Sequence, residues 1–172
     1  MTTATINPPA VDQVHFRSVM GCLPTGVVAL TGFAPEATQP TGLIVGTFAS
    51  LSLEPPLMTF SVAHTSTTWP TLRAATRFSA SVLAAGQEAV CRTISSKRPD
   101  KFDDVDWYTS PAGLPRITGA HAWIDCELQA ELDGGDHTIV IARVLSMDAA
   151  HEREPLIFHK SQFGRFLSPQ TL

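Results

Sequence analysis

Alternation is clearest late in the chain. Ala122, Ile124, Cys126, Leu128, Ala130 and Leu132 take one side of an extended backbone; Trp123, Asp125, Glu127, Gln129 and Glu131 take the other. A period of two over that length predicts a strand with one buried and one solvated face. Gly134, Gly135, Asp136 and His137 follow, and then the apolar run 138–145. Two glycines and an acid are turn chemistry, so that run reads as the antiparallel partner. Apolar runs at 26–32, 41–53, 57–63 and 77–83 predict further strands, and 155–159 and 162–167 add two short ones. Gly46, inside the second of these, marks a bulge or a close backbone approach. Pro-containing segments at 34–40 and 55–56 separate them.

The helical period is weaker. Asp12 can cap a helix that places Phe16, Val19, Met20 and Leu23 on one face, with Pro24 ending it. A second helix is predicted within 64–75, hydroxyl-rich at its start and with Pro70 in the first turn, and a third over 86–96. Seven or so strands and a few short helices read as a mostly β protein, an antiparallel barrel with flanking helices. Residues 1–10, rich in Thr and Pro, read as a flexible N-terminal arm, and 11–172 as a single domain.

Composition narrows the function. The 172 residues are 44% apolar and 16% charged, with a net charge of −4 and no basic run. A nucleic-acid or anionic-membrane partner would need a basic face, so neither is expected. No stretch approaches the ~20 apolar residues of a membrane span, and residues 1–10 have no signal-peptide pattern. Three widely spaced cysteines suit a reducing, cytoplasmic setting. No Cys or His pair has metal-ligand spacing, and no metal is expected. The Rossmann, P-loop and nucleophile-elbow patterns are all missing.

Four segments can carry chemistry. Along 41–56, Gly46, Thr47, Ala49, Ser50 and Ser52 are small enough for a planar heterocycle to approach the main chain, with Phe48 and Leu51 as apolar walls. An ordinary strand and turn explains the same residues. At 64–70, Ser66, Thr67 and Thr68 offer hydroxyls and amides for a phosphate, or simple helix capping. At 95–102, Lys97 and Arg98 beside Ser95 and Ser96 can pair with a phosphate, although by itself the segment reads as a solvated loop. The Gly-Gly-Asp-His segment needs no more than a hairpin to explain it.

Taken in order, "FRSVMGCLPTGVVALTG", "GTFASLSLEPPL", "KRPDKFDDVDW" and the Gly-Asp-His turn resemble the short-chain flavin reductase family, the FMN-binding split-barrel reductases of two-component flavin-dependent monooxygenases. The resemblance implies a six-stranded antiparallel Greek-key split barrel, a homodimer, and FMN or FAD in a groove near the dimer interface. It implies hydride transfer from NADH or NADPH to flavin N5, with reduced flavin passing to a partner oxygenase. A relative that keeps its flavin and acts on an organic substrate, or one that only binds flavin, is the alternative. By the same resemblance Gly46, Thr47, Phe48 and Ala49 lie along the isoalloxazine, and Ser50, Leu51 and Ser52 continue the cradle. Ser66, Thr67, Ser96 and Lys97 take the ribityl-phosphate end, His137 approaches the nicotinamide, and Phe163 supplies an aromatic nearby. Departures from the family pattern fall at Ile44–Val45–Gly46, at Ser81 and at Thr93–Ile94.

Overall fold

Asp12 opens the first element as its residue type predicts: its carboxylate accepts a hydrogen bond from the His15 amide at 2.9 Å. In the computed structural model, which describes residues 11–166, the chain then runs through α1 (Gln13–Met20), β1 (Thr25–Gly26), β2 (Val28–Phe33), β3 (Pro40–Val45) and β4 (Ala49–Ser52). It continues through β5 (Leu57–Ala63), α2 (Trp69–Ala75), β6 (Arg77–Val82), α3 (Glu88–Ser95), β7 (Trp107–Thr109) and β8 (Pro115–Ile117). The long β9 (Ala122–Asp133) and β10 (His137–Ala149) follow, then β11 (Leu156–His159) and β12 (Gln162–Arg165). The expected N-terminal arm, residues 1–10, and Leu167 of the last predicted strand lie outside the described residues.

Seven strands form one antiparallel sheet in the order β3-β2-β6-β9-β10-β5-β4. The run 41–53, read as one strand, is in fact two at opposite edges of this sheet. The chain crosses between the edges at Gly46–Phe48 and so closes the barrel. Three contacts fix the crossing. A Cβ on Gly46 would lie 3.0 Å from Thr25 Oγ1, so the backbone passes close to β1 there. The Thr47 hydroxyl accepts from the Ser61 amide at 2.9 Å and donates to the Ser61 carbonyl at 3.3 Å. Phe48 stacks on Phe60 with ring centroids 6.0 Å apart.

The barrel interior is filled by Val28, Leu30, Phe60, Val62, Phe78, Cys126 and Val140, and α2 plugs one end with Trp69 and Leu72. Phe60, Trp69 and Phe78 meet edge to face, the arrangement aromatic quadrupoles favour. Val27 and Ala29 face the other way into a second cluster with Leu83, Ile94, Phe102 and Ile117. Burial on both faces is why 26–32 reads as an unbroken apolar run rather than an alternating one.

β9 departs from its predicted half-solvated character. Ile124, Cys126 and Leu128 do face the barrel. The other face is not open over its first half, because the β7–β8 hairpin, which the sequence pattern does not announce, covers it. Trp123 Nε1 donates to the Ile117 carbonyl at 2.8 Å, and Asp125, wholly buried, takes Arg116 in a two-pronged ion pair at 2.8 and 3.1 Å. Ser146 donates to the same carboxylate at 2.9 Å. From Glu127 onward solvent reaches both faces.

Candidate functional site

A cleft of about 690 Å³ opens where β3, the Gly46–Phe48 crossing, β5, the turn before α2 and the segment after α3 converge. Ile44 and Val45 supply an apolar floor, and Gly46 and Thr47 continue it as main chain with little side chain above. Ser66, Thr67, Ser96 and Lys97 gather at its rim, and His137 also contributes to the lining. Four segments far apart in sequence are thereby brought together.

The basic segment at 95–102 is ordered by its own chemistry rather than free in solvent. Lys101 is buried, and its Nζ donates to the carbonyls of Gly42 at 2.7 Å and Ile94 at 2.9 Å. Burial pushes its pKa below the ordinary lysine value. Phe102 is buried beside it, so the reading of this stretch as a solvated loop holds only for its first half. Arg98 is taken by Asp100 at 3.1 Å and Asp104 at 3.0 Å. Lys97 makes no ion pair among the described residues and keeps its charge for the cleft.

The Gly-Gly-Asp-His turn joins β9 to β10, with Gly134 donating to the His137 carbonyl at 2.9 Å. Both glycines are needed. Gly135 has φ +84°, and a Cβ on Gly134 would meet Ile139 Cγ1 at 2.9 Å. The turn is tied down again where the His64 amide donates to the Asp136 carbonyl at 3.0 Å. His137 is the first residue of β10, opposite Ala63 of β5. Its Nδ1 lies 2.6 Å from Asp136 Oδ1, and that hydrogen bond holds the Asp136 carboxyl below the usual range. Nε2 makes no bond within the described residues.

Two further cavities adjoin the cleft. One, of about 490 Å³, shares Ile44, Val45, Gly46 and Ser95 with it and adds Cys91, Arg92, Phe158 and Phe163. Phe163 thus stands one cavity away from His137, with the Arg92 guanidinium 5.1 Å from its ring centre. The other, of about 690 Å³, shares Thr47, Ser61 and His137 and is walled on its far side by α1. Phe48 is packed into the barrel core rather than lining a cavity. Ala49, Ser50, Leu51 and Ser52 form the β4 edge strand just beyond the cleft, outside its lining.

The match to a family model runs from residue 20 to 166, and the family is the flavin reductase-like domain. This chain is a flavin reductase-like protein. It is 40% identical over 154 residues to the HsaB reductase subunit of a flavin-dependent monooxygenase from Rhodococcus jostii, covering 90% of this chain and 78% of that one. It is also 40% identical over 160 residues to SmoA of Agrobacterium fabrum, an FMN reductase (NADH), covering 92% and 89%. Among solved structures, the Streptomyces globisporus NADH:FAD oxidoreductase SgcE6, in complex with NAD and FAD fragments, superposes with a TM-score of 0.86 at 35% identity. That likeness covers 93% of this chain and 96% of the other.

Within this flavin reductase-like barrel the three sequence departures take different places. Ile44 and Val45 are at the cleft floor, where they make it more apolar. Ile94 reaches the cleft lining but is itself 1% exposed, serving mainly the second core cluster. Ser81 is turned away altogether: its hydroxyl accepts from the Ile117 amide at 3.1 Å beneath the β7–β8 hairpin. Ser95, named beside Lys97 in the sequence, lines the cleft as expected, whereas Ser61 and Thr65 line it without having stood out in the sequence. Ser61 sits inside an apolar strand run and Thr65 in the turn before α2. Their only signal was being small hydroxyl residues where a larger or apolar one would serve packing better.

Proposed function

We propose that this protein is an NAD(P)H:flavin oxidoreductase that reduces FMN or FAD and supplies the reduced flavin to a partner oxygenase. The observation that carries the reading is one cleft bounded by Gly46–Thr47, Ser66–Thr67, Ser96–Lys97 and His137. Its donor set fits a flavin. A flat, amphipathic ring finds a floor of Ile44, Val45 and Gly46, and an anionic tail finds the hydroxyls of Ser66, Thr67 and Ser96 and the uncommitted charge of Lys97. The exposed edge of β4, Ala49–Ser52, extends that floor with main-chain groups that have no strand beyond them. Bound flavin supplies the hydride acceptor, and a reduced nicotinamide supplies the hydride.

The chain's own residues have a positioning task. Hydride transfer requires the donor carbon and the acceptor nitrogen to be held in near-attack geometry, with little acid–base assistance. His137 is fixed by a hydrogen-bonded turn on one side and by Asp136 on the other, so its free Nε2 can orient the nicotinamide end. We assign it that role and not proton donation. The SmoA and SgcE6 relatives are named for NADH, which favours NADH as the donor here.

The working unit is proposed to be a homodimer. α1 carries Phe16, Val19 and Met20 on one face, yet these are 55%, 53% and 44% exposed, and none of its residues is buried in the single chain. A second copy is the natural cover for such a face. No helix among the described residues is long and apolar enough to cross a membrane. Three unbridged cysteines, two of them buried, are consistent with the cytoplasmic setting we assign.

The reading is tested by NADH consumption with FMN, FAD, riboflavin or no flavin added to the purified protein. Oxidation that saturates with added flavin is expected. A folded protein that binds flavin and leaves NADH intact would remove the reductase assignment.

A further inference from the structure

The cavity beyond His137 has an unusual wall. Gln13, Phe16 and Arg17 are spaced i, i+3 and i+4 along α1, so one stripe of the helix faces it. Across the cavity stand His137, Asp136 and Ile139 from the β9–β10 turn and its strand. Thr47, Ser61 and His137 belong both to this cavity and to the flavin cleft, which sets the two side by side. Arg17 makes no ion pair among the described residues, and α1 has no acid in its first turn to engage it.

We propose that Arg17 is a specificity-determining residue for the hydride donor, pairing with the pyrophosphate of the nicotinamide dinucleotide. The inference rests on the reductase reading and deepens it. With the flavin tail at Lys97 and the shared boundary at His137, the donor's nicotinamide end lies at that boundary and the rest of the dinucleotide must leave the cleft. The cavity under α1 is the continuation available on the side of His137. A guanidinium there presents the planar, multi-donor geometry that phosphate oxygens accept best. Asp136 is the one carboxylate in the lining, and it is already hydrogen-bonded to His137. The arrangement therefore selects for a phosphate that meets Arg17 and avoids the Asp136 edge.

The test compares Arg17→Gln and Arg17→Lys with the parent protein, using NADH and, separately, dihydronicotinamide riboside, a donor that has no phosphate. Arg17→Gln is expected to raise the KM for NADH roughly tenfold, as for a lost charge-assisted hydrogen bond. It should leave kcat, the flavin Kd and the KM for the riboside unchanged. Arg17→Lys should recover part of the loss. An unchanged KM for NADH overturns the proposal, as does an equal rise for both donors, which would make Arg17 merely part of the cavity wall. If the parent protein oxidises neither donor in the presence of flavin, the reductase reading falls and this inference falls with it.

Discussion

At the scale of single residues, position and partner decide what each polar group does. His137 and Lys97 are the two cleft residues whose roles separate most cleanly. His137→Ala is expected to lower turnover at subsaturating NADH severalfold while leaving flavin affinity intact; steady-state kinetics beside a flavin fluorescence titration checks both. Lys97→Ala should weaken FMN binding by roughly tenfold and leave riboflavin binding unaffected, because only FMN carries the phosphate. Equal weakening for the two flavins would move Lys97 off the phosphate. Asp125 has a different task. Burial pushes its pKa up, but hydrogen bonds from Arg116 and Ser146 outweigh that and hold the carboxyl below its ordinary value. A carboxyl depressed in the fold stabilises it fully above the unfolded pKa of about 4 and loses that contribution as pH falls through the folded value. Removing one partner of a buried pair costs about 3–5 kcal/mol. Asp125→Asn should therefore lose about that much in urea unfolding at neutral pH and show a shallower decline toward acid. Equal stability of the two proteins at neutral pH would contradict this.

At the scale of elements, the site depends on where β3 ends and what docks against it. Gly42 lies under the Lys101–Phe102 segment. A Cβ there would meet the Leu30 carbonyl at 2.7 Å, Phe102 Cζ at 3.0 Å and Thr31 Cγ2 at 3.0 Å. Gly42→Ala is expected to cost about 1–3 kcal/mol and to loosen the loop that carries Lys97. Urea melts together with FMN titration should show both effects; a variant with unchanged stability and affinity would contradict the packing described. The same elements show what sequence could and could not disclose. The strands of the large sheet were legible because apolar runs and turn residues are local signals, whereas the short β7 and β8 carry no apolar run. The break at Gly46–Phe48 was not, since 41–53 is apolar and small throughout and only the distant partners Thr25, Ser61 and Phe60 divide it. Likewise Asp125 looks like a solvent-facing residue until the β7–β8 hairpin is laid over it. Helix α1 was legible as amphipathic, but not what its apolar face meets. If a second copy covers that face, Phe16→Asp with Met20→Asp should halve the mass measured by light scattering. Unchanged mass would place the dimer contact elsewhere or remove it.

At the scale of the whole molecule, barrel closure is what assembles the site. One crossing of three residues carries the chain between the two edges of a seven-stranded sheet and at the same time lays Gly46 and Thr47 along the cleft. The phosphate-end residues arrive from the loops flanking α2 and α3, and His137 arrives on the β9–β10 hairpin. None of these segments neighbours another in sequence, so the family resemblance could join them where periodicity could not. The central claim is that this assembled cleft passes a hydride from a reduced nicotinamide to a flavin. An anaerobic stopped-flow mixing of NADH with the protein and FMN tests it most directly. The account predicts that NADH absorbance and flavin absorbance fall together, with one flavin bleached per NADH consumed. Loss of neither signal, from folded protein with flavin bound, would contradict it.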